Sequence, residues 1–186
     1  RNIFFALFLI LVSEAHAQST IDPKTAIKSL NEGTLIVNLI HPQRKIEALL
    51  QTGHKEEALA LEAEVAKEHE EIIKAFAENY TFSKLLFVYS YNMGRVADGD
   101  ATALFDVIGN AQTMLPSAYF FVELAETPNR NLKGFLVKDA QRDLLSKPFP
   151  YYTAQYEFLH IRKLTFAEMA KNLNNRLSVF YERAQR

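Results

Sequence analysis

The side chains with the most chemical potential follow directly after a run of apolar residues. That run, Leu85 to Ser90, has the length and composition of a buried strand. Ligand sites of open α/β sheets lie beyond the carboxyl ends of the strands, so the segment that follows is a candidate binding site. Its polar and aromatic side chains are Tyr91, Asn92, Arg95, Asp98 and Asp100. The simpler interpretation, which the residue types favour, is that Gly99 makes a turn and Asp100 caps the next helix.

Histidine and acidic residues offer metal binding or proton transfer, but their spacing does not favour either. His69 lies in an apolar helical stripe, and no other histidine stands three or four residues away to share a metal. A packed, hydrogen-bonded histidine is the favoured interpretation. Lysines alternate with a group of glutamates, as on a solvated helix face. These are Glu62, Glu64, Glu68, Glu70 and Glu71. We predict no metal, no cofactor and no catalytic residue.

Aromatic residues near position 150 offer a second recognition surface, for a glycan or a peptide. Such alternation more often marks a strand with one face in the core and the other at the rim. The residues are Phe149, Tyr151, Tyr152, Tyr156 and Phe158. Loops on rigid scaffolds carry most recognition, and tyrosine and arginine dominate binding hot spots. We therefore predict that Tyr152 joins the 91–100 loop in binding a partner.

Apolar runs predict the strands that position these residues. The two most continuous runs, 34–40 and 84–90, suggest strands covered on both faces, as in a parallel sheet. Further strands are predicted at 119–124, 134–138 and 144–145, with an edge strand within 151–158. The strands at 34–40 and 84–90 should be parallel neighbours, joined by a right-handed helical crossover.

Helical periodicity and capping residues predict the remaining elements. Asp22 and Pro23 suit the start of a short helix that Gly33 ends. The crossover is an extended helical segment over 43–79 that Gly53 breaks or bends. It is too long for a compact sheet, so it overhangs the sheet, packs on its own shorter neighbour or contacts another subunit.

Two more helices complete the predicted order. A short helix is expected over 101–111, with Leu104, Phe105 and Ile108 facing inward. In the C-terminal helix, Thr165 and Glu168 have the spacing of a capping box. Its inward stripe is Phe166, Met169, Leu173, Leu177 and Phe180. The alternation predicts one α/β domain over residues 18–186, with a mixed, mostly parallel sheet flanked by helices.

The N-terminal residues predict export. An apolar run of about ten residues, from Ile3 to Val12, precedes Ala15, His16 and Ala17, which resemble a signal-peptide cleavage site. The run is too short to span a bilayer, which needs about 20 residues. We expect residues 1–17 to be a signal peptide cut before Gln18, leaving a periplasmic or secreted protein without stable membrane insertion. Because the chain begins at Arg1, we also expect the precursor to begin earlier.

Composition excludes several classes of function. The chain contains no cysteine, which excludes disulfides, thiol catalysis and thiol redox chemistry. The formal net charge is −1, so no long-range field recruits nucleic acid. A hydrophobic content of 48% with abundant aromatic residues indicates a folded globule rather than a disordered chain.

The order of the predicted elements resembles the thioredoxin-like plan. Pro116, just before the predicted strand at 119–124, is similar in placement to the cis-proline of that family. The segment from Tyr91 to Arg95 stands where that family has its Cys-x-x-Cys motif, and it contains no cysteine. The resemblance therefore implies a redox-inactive domain, and the 43–79 segment is longer than the plan expects.

Four further segments resemble an uncharacterised family of small exported bacterial proteins. They are Gly33–Val37, Lys45–Leu49, Phe87–Ser90 and Lys147–Tyr152. This resemblance implies export and a single-domain architecture, and it assigns no catalytic residue.

These observations favour a non-enzymatic binding or structural domain of the bacterial envelope, whose partner is another envelope protein or a peptide. One alternative is a redox-inactive thioredoxin-like or small-ligand hydrolytic domain that uses Arg95, Asp98 and Asp100. Another is an assembly protein that forms a homodimer through the long helix. Nucleic acid is not an expected partner.

Overall fold

A computed structural model describes residues 19–127, 132–156 and 162–186. The expected signal peptide, residues 1–17, lies outside these ranges, as does Phe158. The helices are α1 Pro23–Glu32, α2 Gln43–Gln51, α3 Lys55–Asn79, α4 Met93–Ala97 and α5 Phe166–Ala184. The strands are β1 Thr34–Leu39, β2 Lys84–Tyr89, β3 Tyr119–Glu126, β4 Lys133–Lys138 and β5 Tyr152–Ala154. Short 3-10 turns cover Ser90–Asn92 and Ala101–Ala103.

The strands form one mixed sheet in the order β2-β1-β3-β4-β5. β1 pairs in parallel with both β2 and β3, which confirms the predicted parallel neighbours. The expectation of a mostly parallel sheet is wrong. Within the described ranges two pairings are parallel, whereas two strand pairings and four isolated bridges are antiparallel. The stretch 127–132 between β3 and β4 is shorter than a parallel crossover requires, so β4 runs back beside β3.

Helices cover the two faces of the sheet unequally. α1, α3 and α5 pack on one face, where Leu35, Val37 and Phe135 belong to the main core. On the other face, Val96 and Leu104 pack with Ile36 and form a smaller core. The connection from β1 to β2 therefore lies on one face, and the connection from β2 to β3 contributes to the other.

The long helical segment is two helices, because Gly53 takes a positive φ of 83° and turns the chain between them. α3 has 25 residues and is about 37 Å long. Its C-terminal half is anchored by Ile72 and Phe76, which are buried in the main core. In its N-terminal half Ala58 is buried, and the contact there is with α2. Of the predicted arrangements, packing on the shorter neighbour is the one the structure shows.

The helix expected over 101–111 is wrong. One 3-10 turn forms, and Phe105 then leaves it to exchange both backbone hydrogen bonds with Phe87. The Asp106 carboxylate accepts backbone hydrogen bonds from Ile108 and Asn110, which closes a turn instead of a helix. Leu104 is buried as expected, whereas Ile108 is 81% exposed. The helical periodicity of residues 101–111 covers only about three turns, and these hydrogen bonds form in place of a helix.

Of four smaller expectations, two are wrong and two are confirmed. The predicted strand at 144–145 is reduced to one bridge between Leu144 and Lys138. The peptide bond before Pro116 is trans, whereas the thioredoxin-like resemblance implied a cis bond. The edge strand within 151–158 is present as β5. At the start of α1, Asp22 accepts the backbone N–H of Thr25 at 3.0 Å, as its capping role predicts.

The capping box of α5 is confirmed. Thr165 Oγ1 accepts the backbone N–H of Glu168 at 3.2 Å, and Glu168 Oε2 accepts the backbone N–H of Thr165 at 2.9 Å. Two of the four donors that a helix start leaves unpaired are thereby satisfied. The predicted stripe faces the main core. Met169, Leu173 and Leu177 are fully buried, and Phe166 and Phe180 are half-buried.

Close packing of β4 against β5 leads to a first prediction. A Cβ at Gly134 would lie 2.2 Å from the carbonyl oxygen of Thr153, so Gly134→Ala should lower the free energy of unfolding by about 1–3 kcal/mol. Nothing lies within 4 Å of a Cβ at Gly94, so Gly94→Ala in α4 should be neutral or stabilising by about 0.5–1 kcal/mol. Urea denaturation of both variants measures the difference. Equal effects at the two glycines would contradict the predicted packing.

Candidate functional site

Arg95 and Asp100 form a turn rather than the wall of a crevice. Arg95 donates from Nε and Nη2 to Asp100 Oδ2 at 2.9 and 2.7 Å. Asp100 Oδ1 accepts the backbone N–H of Thr102 at 2.9 Å and caps the 3-10 turn. The hydrogen bonds from Thr102, followed by those from Arg95, lower the pKa of Asp100. Gly99 has a positive φ of 91°, which confirms the interpretation of this segment as turn and cap.

The remaining predicted site residues separate across the molecule. Tyr91 and Asn92 follow β2, which is one edge of the sheet, whereas Tyr152 lies on β5 at the other edge. Four inter-strand spacings lie between β2 and β5, so the two edges of the sheet are about 19 Å apart. Asp98 is exposed at the end of α4. The structure therefore does not unite the six predicted residues in one site.

Tyr152 has structural contacts of its own. Its hydroxyl lies 3.3 Å from the carbonyl oxygens of Leu132 and Lys133, to which it donates. Its backbone carbonyl accepts a hydrogen bond from the Arg176 guanidinium of α5. This contact ties the edge strand β5 to α5.

An open cleft of about 670 Å³ lies at the carboxyl ends of β1 and β2. The start of α2 supplies most of its lining, and Ser90 and Tyr91 after β2 supply the rest. The lining residues are His41, Pro42, Gln43, Arg44, Lys45, Glu47, Ser90 and Tyr91. Tyr91 is the one predicted site residue among them. The cleft depends on the parallel pairing of β1 and β2, since that pairing brings both carboxyl ends to the same side.

A stack of aromatic rings holds Tyr91 in place. Its ring stacks on Tyr89 with centroids 5.4 Å apart and an interplanar angle of 4°. Tyr89 in turn stacks on Phe105 at 5.1 Å. The ring of His41 meets Tyr91 edge-on at 5.5 Å. Tyr91 is nevertheless 52% exposed, so the stack presents a rigid aromatic surface to the cleft.

The two histidines near the cleft have different surroundings. His69 Nε2 lies 3.0 Å from the carbonyl oxygen of Ile40, which can only accept, so this nitrogen donates. The predicted packed and hydrogen-bonded state of His69 is confirmed. The backbone N–H of His41 donates to Ser90 Oγ at 2.9 Å, linking the ends of β1 and β2. Within the described residues, His41 Nδ1 is buried and has no hydrogen-bond partner.

The rim of the cleft is cationic. Arg44 and Lys45 are exposed, and Glu47 accepts a hydrogen bond from Gln43 Nε2 at 2.8 Å. Burial, and to a smaller degree Tyr89, raises the pKa of Tyr91, so its hydroxyl stays protonated at neutral pH. The cleft combines an aromatic surface, hydrogen-bonding groups and a net positive charge, since Arg44 and Lys45 outnumber Glu47. His41, Arg44 and Lys45 were missed from sequence, although His41 directly follows a predicted buried strand.

A buried ionic network lies where the connections of the sheet change face, between β1 and β3. Glu123 is 6% exposed and accepts hydrogen bonds from Asn38 Nδ2 at 2.8 Å and from Lys138 Nζ. Arg142 Nη2 lies 3.7 Å from Glu123 Oε2, the oxygen that accepts the hydrogen bond from Asn38. Burial raises the pKa of Glu123, but Lys138, Asn38 and Arg142 together outweigh it, and the net shift is downward. Glu123 is therefore ionised at neutral pH and joins β1, β3 and β4.

The turn that carries Arg142 is also ordered. Asp139 is buried, and its Oδ1 accepts the backbone N–H groups of Gln141 and Asp143 at 3.0 and 2.8 Å. Arg142 has a positive φ of 69°, which is uncommon for a residue with a side chain. Sequence reasoning missed this network, although Glu123 and Asn38 are visible as lone polar residues within apolar runs.

Among residues 19–127, 132–156 and 162–186, no group of three or more histidine, cysteine, aspartate or glutamate side chains could hold a metal ion. No helix in these ranges has the length and apolar character needed to cross a membrane. Comparison with protein-family models, curated proteins and solved structures finds no match for the chain.

The lowered pKa of Glu123 leads to a second prediction. At neutral pH, Glu123→Gln should lower the free energy of unfolding by about 2–3 kcal/mol, because Lys138 loses its buried partner. The folded-state pKa of Glu123 lies below the usual value of 4.5. The ionised carboxylate therefore gives its full stabilisation above pH 4.5, and this stabilisation is lost as the pH falls from 4.5 through the folded-state pKa. Urea denaturation at pH 7 and pH 3 should show the difference from wild type shrinking in acid.

Glu126→Gln is the matched control, since Glu126 is exposed at the end of the same strand. It should change the free energy of unfolding by less than about 0.5 kcal/mol at either pH. A Glu123 variant as stable as this control would mean that the buried network contributes nothing.

Proposed function

We propose that this protein is a non-enzymatic binding domain whose recognition site is the cleft at the ends of β1 and β2. The observation that carries this proposal is the rigid, exposed ring of Tyr91 beside the cations Arg44 and Lys45. Binding hot spots are enriched in tyrosine and arginine, and a side chain already held in place loses little entropy on binding. The stack beneath Tyr91 provides that preorganisation.

The geometry of the cleft supports binding over hydrolysis. A serine nucleophile needs a general base within hydrogen-bond reach of its hydroxyl. Ser90 Oγ instead accepts the backbone N–H of His41, so its contact is with the main chain rather than with an imidazole. Arg95 and Asp100, which the hydrolytic alternative requires, are joined to each other in a turn outside the cleft lining.

The cellular location of this binding domain is proposed from the sequence. Export to the periplasm or medium, with cleavage after Ala17, is supported by the apolar run from Ile3 to Val12 and the Ala-His-Ala that follows. The partner is then another envelope protein or a peptide. A single domain over 18–186 is supported by one sheet that collects every strand of the described residues. A thioredoxin-like arrangement is supported by the order of elements alone.

Assembly through the α2–α3 hairpin is a second candidate function. The N-terminal half of α3 leaves Leu59 53% exposed, and α2 leaves Leu50 50% exposed. Exposed aliphatic side chains on a projecting helix pair are suited to contact a second subunit. Sedimentation of the purified protein with and without Leu59→Asp tests this candidate.

Substitution of Tyr91 gives a third prediction. Tyr91→Ala should weaken capture of an envelope partner by about tenfold or more, because the central aromatic contact is lost. The free energy of unfolding should fall by only about 1–2 kcal/mol, the value of the two ring contacts with Tyr89 and His41. Tagged wild-type and variant proteins, incubated with the same envelope extract, report capture, and urea denaturation reports stability.

Charge reversal provides the matched comparison. The Arg44→Glu/Lys45→Glu variant should also lose the partner, whereas Lys171→Glu/Arg183→Glu on exposed positions of α5 makes the same charge change away from the cleft. If the α5 variant loses capture equally, net charge rather than the cleft is responsible. Capture that survives both Tyr91→Ala and the cleft reversal would exclude the proposed site.

A further inference from the structure

The loop Asp106–Asn110 displays aliphatic side chains that the fold itself does not use. Ile108 is 81% exposed and Val107 is 45% exposed. Met114, further along the same connection, is 79% exposed. Single exposed apolar residues are ordinary, but three within residues 107–114 suggest an interaction surface.

Hydrogen bonds hold the loop Asp106–Asn110 in a defined turn. The backbone N–H of Asp106 donates to the carbonyl oxygen of Asn110 at 3.0 Å, and that of Gly109 donates to the carbonyl oxygen of Asp106 at 3.0 Å. Asp106 Oδ1 accepts backbone N–H groups from Ile108 and Asn110 at 3.0 and 2.8 Å. Phe105 and Ala111 pair across its base. A tip held in this way presents Val107 and Ile108 at little entropic cost to binding.

The loop stands beside the cleft because both are attached to one aromatic stack. Phe105, at the base of the loop, pairs with Phe87 at the edge of the sheet. Its ring stacks on Tyr89, and Tyr89 stacks on Tyr91 of the cleft. The base of the apolar loop and the open cleft therefore lie at the same edge of the sheet.

The two surfaces are complementary in charge. The connection that holds the loop carries the negative charges of Asp98 and Asp106, whereas Asp100 is already paired with Arg95. In the lining of the cleft, Arg44 and Lys45 outnumber Glu47, and Pro42 and Tyr91 add apolar and aromatic surface. An anionic lipid surface attracts basic segments, so this acidic loop is not suited to one. A cationic cleft with an aromatic wall fits it.

We propose that the Asp106–Asn110 loop of one molecule docks in the β1–β2 cleft of a second copy. Ile108 lies against Tyr91 in this arrangement, and the acidic connection faces Arg44 and Lys45. Because loop and cleft share one edge, a two-fold axis lets both loops dock reciprocally and closes a dimer. The inference rests on the proposed function, since it uses the same recognition site and makes a second copy of the chain an occupant of it. Contacts this small belong to weak interfaces, so the dissociation constant should be on the order of 10 µM.

Sedimentation equilibrium of the purified protein tests the dimer, at concentrations about tenfold above and below that value. Ile108→Asp should raise the dissociation constant by about tenfold or more, since it places a charge at the centre of the contact. Arg44→Glu/Lys45→Glu should do the same from the other side. Val179→Asp, at a residue 47% exposed on α5, is the matched control and should dimerise as wild type does. Circular dichroism and Tm check that each variant is folded.

Mixing the two defective variants gives the sharpest result. The Ile108→Asp protein retains an intact cleft, and the cleft variant retains an intact loop. Their mixture should form heterodimers through the one remaining loop–cleft contact, with affinity between those of wild type and either variant alone. No gain on mixing would overturn reciprocal docking.

Other outcomes separate this inference from the proposed function. A wild-type protein that stays monomeric throughout the range overturns the inference. Dissociation by Leu59→Asp but not by Ile108→Asp also overturns it and supports the helical hairpin instead. If either result accompanies loss of partner capture in Tyr91→Ala, the cleft remains a recognition site for a different partner and only the self-docking fails.

Discussion

The structure depends on β1, the strand that, within the described residues, has a parallel neighbour on each side. All six of its residues are buried, and it pairs in parallel with β2 and β3. A strand in this position has no contact with water through which to satisfy its backbone, so both neighbours must be in register for it to be stable. Leu35 and Val37 then belong to the core under α1, α3 and α5, and Ile36 belongs to the core on the opposite face.

The same pairing decides where recognition can occur. Parallel neighbours end at the same side of the sheet, which brings His41 after β1 beside Ser90 and Tyr91 after β2. The N–H of His41 joins the two ends, and the aromatic stack through Tyr89 continues from the strand into the cleft. The site is thus an extension of core packing to the surface, which explains how Tyr91 can be exposed and rigid together.

Polar groups inside the sheet set a different constraint. Glu123 is placed between strands in a region that would otherwise be apolar, and Lys138 and Asn38 are the partners that make its burial tolerable. Lys138 is contributed by the antiparallel β4, so the hairpin of β3 and β4 is needed for the charge to be balanced. A buried ion pair adds little net stability but penalises every pairing that separates its members. The network therefore selects one register for β1, β3 and β4.

Local features of this protein were readable from sequence because their partners are close along the chain. The caps at Asp22 and Thr165 each involve residues three positions apart, and the apolar runs of β1 and β2 report burial directly. The antiparallel direction of β4 and β5, the pairing of Glu123 and the cleft were decided by tertiary structure. Asn38 and Glu123 are separated by 85 positions, and no local pattern records which distant residue a polar side chain will meet. The 101–111 segment shows the same limit from the other side. Its helical periodicity did not decide its structure. Asp106 closes a local turn, and Phe105 bonds to Phe87 at the sheet edge, a contact that exists only once the sheet has formed.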